Sequence, residues 1–170
     1  MVIKLCGVIM LLFGGVWFGL SAKRTLGMRV RTLRSLIECL ELIEWELTTN
    51  MPPMEHLLCE IAGQASAPAA RFFSDCAKGL DRNDQTMAEI WRAAAEETLK
   101  PLKAEDLEVL LPVGAVLGRY DVDSQINSVK AARDRLANNL MDSINEKRRL
   151  GRLYSTLGAA AGLFFAIVLL

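Results

Sequence analysis

Residues 26–50 read LGMRVRTLRSLIECLELIEWELTTN. Leu26, Val30, Leu33, Ile37, Leu40, Ile43 and Leu47 recur every three or four positions, so they share one stripe of a helix. Glu38, Glu41 and Glu44 fall on another face. Asn50 and the pair Pro52-Pro53 close the helix, because proline cannot donate the next backbone hydrogen bond. Nowhere does the chain alternate apolar and polar residues long enough to suggest a sheet, which makes the fold class all-α.

Upstream of this helix, Leu5–Ala22 carries no charge, and at the other end of the chain neither does Leu153–Leu170. As a helix each would measure about 27 Å, close to the roughly 30 Å hydrocarbon core of a bilayer. Leu163–Leu170 is apolar on all sides, and a domain this small could hardly bury two such helices, so both are read as transmembrane anchors. The exit of the first, Gly19-Leu20-Ser21-Ala22-Lys23, has leucine where a signal-peptide cleavage site needs a small residue, which favours a retained anchor. The expected domains are an N-terminal anchor (1–22), a helical bundle (23–152) and a C-terminal anchor (153–170). Lys23, Arg24, Arg29, Arg31 and Arg34 follow the first anchor, and Lys147, Arg148, Arg149 and Arg152 precede the second; only Lys4 lies on the opposite side. The bundle should therefore be cytosolic and both termini outside the cytosol.

Within the bundle, Met54, Leu57, Leu58 and Ile61 fit a second helix. Ser66-Ala67-Pro68 opens a third through Phe72, Phe73 and Cys76, with Gly79 as its stop. Thr86 and Glu89 form a capping box for a fourth through Ile90, Trp91, Ala94 and Leu99, closed by Lys100-Pro101. A fifth covers Glu105 to Leu117, where Pro112 should kink or split it, and Gly118 ends it. The sixth starts near Val122, carries Val122, Ile126, Val129, Leu136, Leu140 and Ile144 inward, and runs into the second anchor. The architecture is an antiparallel bundle of about six helices, its first and last continuous with the anchors.

Chemistry is sparse. Net charge is zero and no aromatic residues interleave with the basic ones, which argues against nucleic acid. There is no phosphate loop, G-x-S-x-G or G-x-G-x-x-G. Cys6, Cys39, Cys59 and Cys76 lack metal-site or framework spacing and read as free thiols. His56 could share a helix face with Cys59, but a surface histidine beside a buried structural cysteine is the simpler reading. Asp121 and Asp123 suit the cap and first turn of the last helix better than a metal. No catalytic residue, metal or cofactor is therefore assigned. Gly15 and Gly19, and Gly158 and Gly162, are four apart and give flat strips for packing the anchors on each other or on other subunits, a homo-oligomer included.

The stretch Leu117-Gly118-Arg119-Tyr120-Asp121-Val122-Asp123-Ser124-Gln125 precedes a long charged helix, then Gly151-Arg152-Leu153-Tyr154-Ser155-Thr156-Leu157-Gly158 and an apolar tail. With a short N-terminal anchor and a helix bearing Glu38, Glu41, Glu44 and Glu46, this layout resembles the stage III sporulation protein AB family over essentially the full chain. Gly118, Asp121 and Gln125 match its Leu-Gly-x-x-Asp-x-x-x-Gln pattern; Pro112 departs from an unbroken helix. The resemblance implies a non-enzymatic platform in an assembly linking mother cell and forespore, similar to inner-membrane platform proteins of type II secretion and type IV pilus machines. It implies a stage III sporulation protein AA-like cytosolic ATPase and other membrane components of that assembly as partners, beside the lipid bilayer. Arg119, Tyr120, Asp121 and Gln125 are the candidate ATPase contacts; alternatively Gly118 stops a helix, Asp121 caps the next and Gln125 bonds across the turn. Two other readings stay open: a membrane-tethered enzyme or sensor built on His56 and Cys59, and an unrelated two-anchor scaffold.

Overall fold

The computed structural model describes residues 27–82, 85–119 and 121–169, with side chains described as far as Leu150. Among the described residues there are six helices and no strand: α1 (27–49), α2 (Met54–Gln64), α3 (Ala69–Asp81), α4 (Met87–Thr98), α5 (Ala104–Val116) and α6 (Val122–Leu169). From α2 onward each helix packs on the next in sequence, as short connections require. Helix α6 also lies antiparallel to α1, because Arg29 near the start of α1 meets Glu146, whereas Glu44 near its end meets Arg133.

Helix α1 is the staple of the bundle, and its buried face is wider than a single stripe. Leu36 and Cys39 are buried with Val30, Leu33, Leu40, Ile43 and Leu47, while Ile37 is only partly covered. The face widens because neighbours approach from two sides. The Ser66 hydroxyl donates to Ser35 Oγ at 3.0 Å on one flank, and α5 and α6 reach α1 through ion pairs on the other. Its end is a left-handed turn at Met51 (φ 46°), where the Asn50 and Met51 N–H groups both donate to the Glu46 carbonyl.

At the centre Trp91 stands edge-on to Phe72 and Phe73, with ring centroids 4.7 and 5.8 Å away. Its indole N–H donates to the Leu110 carbonyl at 3.0 Å, so the largest core side chain leaves no polar atom unpaired. Gly114 makes room for it: a Cβ there would lie 2.3 Å from Trp91 Cγ. Thr86 and Glu89 form the expected capping box, the Thr86 N–H donating to Glu89 Oε2 at 2.8 Å.

Three expectations are corrected. Gly79 does not stop α3, which continues to Asp81. It is a close-approach glycine, because a Cβ there would sit 2.5 Å from Ile90 Cγ2. Pro112 does not split α5, which is a single helix across it. The proline lies on the exposed side, where the carbonyl it leaves without an N–H can turn to water. Cys59 is exposed, and the buried thiols are Cys39 and Cys76.

Helix α6 spans 48 residues without a break and continues past Gly151, as expected. The segment Leu5–Ala22 and the side chains of Leu153–Leu170 lie outside the described residues. Among the described residues no helix is long and apolar enough to cross a membrane.

Two substitutions test this account, with urea midpoints of the full chain in detergent as the readout. Gly114→Ala should lower stability by about 3 kcal/mol, the upper end for overpacking, because Trp91 Cγ lies too near its backbone to swing away. Met51→Gly should raise it by about 0.5–1 kcal/mol. It relieves a left-handed conformation that costs an L-residue about 1–2 kcal/mol, less the extra freedom glycine gives the unfolded chain. Met51 is exposed, so no core contact is lost.

Candidate functional site

The turn joining α5 to α6 is built by two residues that the sequence pattern links. Gly118 adopts φ +76°, a left-handed conformation suited to glycine, and ends α5. Its N–H donates to Gln125 Oε1 at 3.0 Å, and Gln125 is buried. The spacing of Gly118 and Gln125 thus encodes a bond across the turn. Asp121 occupies the position before the first residue of α6, and its carbonyl accepts from the Gln125 N–H at 3.4 Å. Asp123 lies in the first turn, where its charge complements the helix dipole. Arg119 and Asp121 are exposed, while Tyr120 lies outside the described residues. Beside Arg119 is a groove of about 310 Å³, lined by Met54, Leu80, Met87 and Leu117 among others.

At the other end of the bundle is a buried ion cluster that the sequence did not single out. Arg29, counted among the flanking charges of the first anchor, is 3% exposed and faces inward. Its Nε donates to Asp106 Oδ2 at 2.8 Å and its Nη2 to Oδ1 at 2.9 Å, a bidentate pair. Asp106 is fully buried and also accepts from the Lys103 N–H at 3.0 Å and from Asn139 Nδ2 at 2.9 Å. Glu105 accepts from Arg29 at 2.6 Å, and Glu146 lies 3.8 Å from Arg29 and 3.1 Å from Lys103 Nζ. One carboxylate therefore ties α1, the start of α5 and α6 together. Burial alone would push the Asp106 carboxyl up, but the bonds from Arg29, the Lys103 N–H and Asn139 outweigh it and hold the group below the usual carboxylate range. A partial signal existed: Asp106 stands three residues into a helix opened by Lys103, where a carboxylate can accept the preceding N–H.

His56 and Cys59 are both exposed on α2. Among the described residues no three His, Cys, Asp or Glu side chains gather as a metal site. The buried thiols sit far from reactivity: burial pushes Cys39 up to about 12 and Cys76 higher still. Gly15 and Gly19 lie outside the described residues, and Gly158 and Gly162 fall on the α6 backbone with their surroundings outside them.

These features define the class: an all-helical bundle whose chain begins and ends in apolar segments, with its polar organisation spent on helix connections and clamps. The family model for stage III sporulation protein AB matches residues 4–170, and the chain belongs to that family. It is 26% identical over 171 residues to stage III sporulation protein AB of Bacillus subtilis (strain 168), covering 99% of each chain. A solved structure of stage III sporulation protein AB superposes with a TM-score of 0.65 at 26% identity, covering 72% of this chain and 98% of that one. The family is a sporulation family and not a known enzyme family.

Asp106→Ala should cost about 3–5 kcal/mol at pH 7, because it leaves the Arg29 guanidinium buried without its counter-charge. Replacing both partners by apolar residues, Arg29→Met with Asp106→Leu, should recover part of that loss. The sign of the pH dependence follows from the lowered carboxyl. The stabilisation is complete above the unfolded value of about 3.9 and is lost as pH falls through the lower folded value. Melting curves from pH 7 to pH 2 should show this acid limb in the parent and a reduced one in Asp106→Asn.

Proposed function

We propose that the chain is a non-enzymatic, two-anchor membrane platform of a secretion-like sporulation complex between mother cell and forespore. In this reading residues 23–152 form the cytosolic domain on the mother-cell side, and 1–22 and 153–170 are the anchors. The observation that supports it is where the start of α1 lies relative to α6. Arg29 near the start of α1 meets Glu146 on α6, and a Cβ on Gly27 would lie 3.8 Å from Lys147 Nζ. The start of α1 and residues 146–147 of α6 therefore lie at one end of the bundle, which supports two anchors entering the same bilayer. The glycine strips Gly15/Gly19 and Gly158/Gly162 then serve as packing faces between anchors or between subunits.

The α5–α6 turn is at the opposite end. At about 1.5 Å per residue, α6 covers about 36 Å between Val122 and Glu146. A cytosolic ATPase resembling stage III sporulation protein AA would reach the bundle there, with Arg119, Tyr120 and Asp121 as contacts beside the groove of Met54 and Leu117. Gln125 contributes by holding Gly118 in place.

The exposed Cys59 is a natural reporter of sidedness. In a Cys6→Ser background, a membrane-impermeant maleimide should label Cys59 only after cells are permeabilised, since Cys39 and Cys76 are buried. Labelling of intact cells would place the bundle outside and end the platform reading. For the turn, Arg119→Ala and Asp121→Ala should weaken binding of the ATPase about tenfold, about 1.4 kcal/mol, with unchanged melting temperature. Loss of melting temperature in step with binding would assign these residues to the turn's stability instead.

A further inference from the structure

We infer that the bundle carries a second, lateral docking groove, between α1 and α2, for a cationic amphipathic helix of a partner protein. The groove has a volume of about 400 Å³ and an apolar floor that includes Leu42, Ile61 and Ala65. Trp45 stands beside it, 54% exposed, while the other described tryptophan, Trp91, is fully buried in the core. A large exposed indole next to an apolar cleft is the kind of anchor that dominates binding energy in protein interfaces.

The rim selects the charge of the occupant. Glu38 and Glu41 line the groove on the same exposed face of α1 as Trp45; neither forms a salt bridge within 4 Å among the described residues, and Glu41 feels Arg133 only at longer range. On the α2 side Gln64 lines the groove and donates to Glu60 Oε1 at 3.4 Å. Glu44, by contrast, is already neutralised by Arg133. A helix with one apolar stripe flanked by Lys or Arg would cover Trp45 and Leu42 and bring its cations to Glu38 and Glu41.

Lipid does not fit this surface. The carboxylates repel anionic headgroups, and Glu38 to Trp45 lie about 16–27 Å along α1 from residue 27. A second copy fits poorly too. On the two-anchor reading, paired copies meet at equal heights, so Glu38 and Glu41 would face their own counterparts. The groove is also separate from the α5–α6 turn, so its test does not depend on where the ATPase binds.

The test uses the full chain with Trp17→Phe in zwitterionic nanodiscs, titrated with a fluorescent Lys/Leu amphipathic helical peptide, with empty nanodiscs subtracted. The expected result is saturable, salt-sensitive binding that shields Trp45 from acrylamide quenching. Binding should weaken about tenfold in Trp45→Ala and severalfold in Glu38→Gln with Glu41→Gln. Equal binding by parent and variants, or equal binding of a Glu/Leu peptide, would overturn the proposal. So would shielding of Trp45 by anionic vesicles alone, or a self-associated chain in which Trp45 is already shielded. The quenching measurement on unsubstituted Trp45 decides the matter even if a variant fails to fold.

Discussion

The carboxylate of Asp106 is the point on which the arrangement of helices depends. It accepts two bonds from Arg29, one from Asn139 and one from the Lys103 N–H, and is fully buried. Apolar packing alone lets helices slide and rotate, since one leucine contact can replace another at little cost. A buried bidentate pair does not: a shift of one turn would leave both charges desolvated and unmatched. The clamp therefore fixes the register of α1 against α5 and α6; in sequence, α1 follows the first apolar segment and α6 runs into the second.

From this fixed end the rest of the bundle follows in sequence order. The aromatic centre of Phe72, Phe73 and Trp91 locks α3 to α4, and Gly114 lets α5 close on Trp91. At the far end, Gly118 and Gln125 shape the return into α6. The two polar devices sit at opposite ends of α5, and between them the helix packs on the apolar core and accepts the Trp91 indole N–H at the Leu110 carbonyl. One end of the bundle thus gathers the start of α1, the start of α5 and Glu146 of α6, and the other presents an exposed turn and a shallow groove.

Much of this was legible along the chain. Helix boundaries at Pro52-Pro53, Thr86, Lys100-Pro101 and Gly118 were readable because proline, capping and left-handed residues act locally. Gly79 as a helix stop and Pro112 as a split in α5 fail for a related reason. Each is a local breaker by propensity, but Gly79 serves Ile90 across a helix interface and Pro112 faces outward, and both facts are set by partners far away in sequence. Cys59 was expected inside because free cysteine usually is, yet its helix turns that position to solvent.

By itself the sequence determined the class, the number of helices, their order and the apolar character of both ends, since periodicity and turn chemistry are short-range properties. The Gly118, Asp121 and Gln125 pattern likewise pointed to a structured turn. Only the tertiary structure decided what the charged residues do. Arg29 and Arg31 look alike as flanking cations, but one is buried against Asp106 and the other is exposed. Glu44 and Glu41 differ in the same way, one paired with Arg133 and the other open beside a groove. A charge's role depends on which partner lies within a few ångströms across the fold, and for Arg29 that partner is 77 residues away.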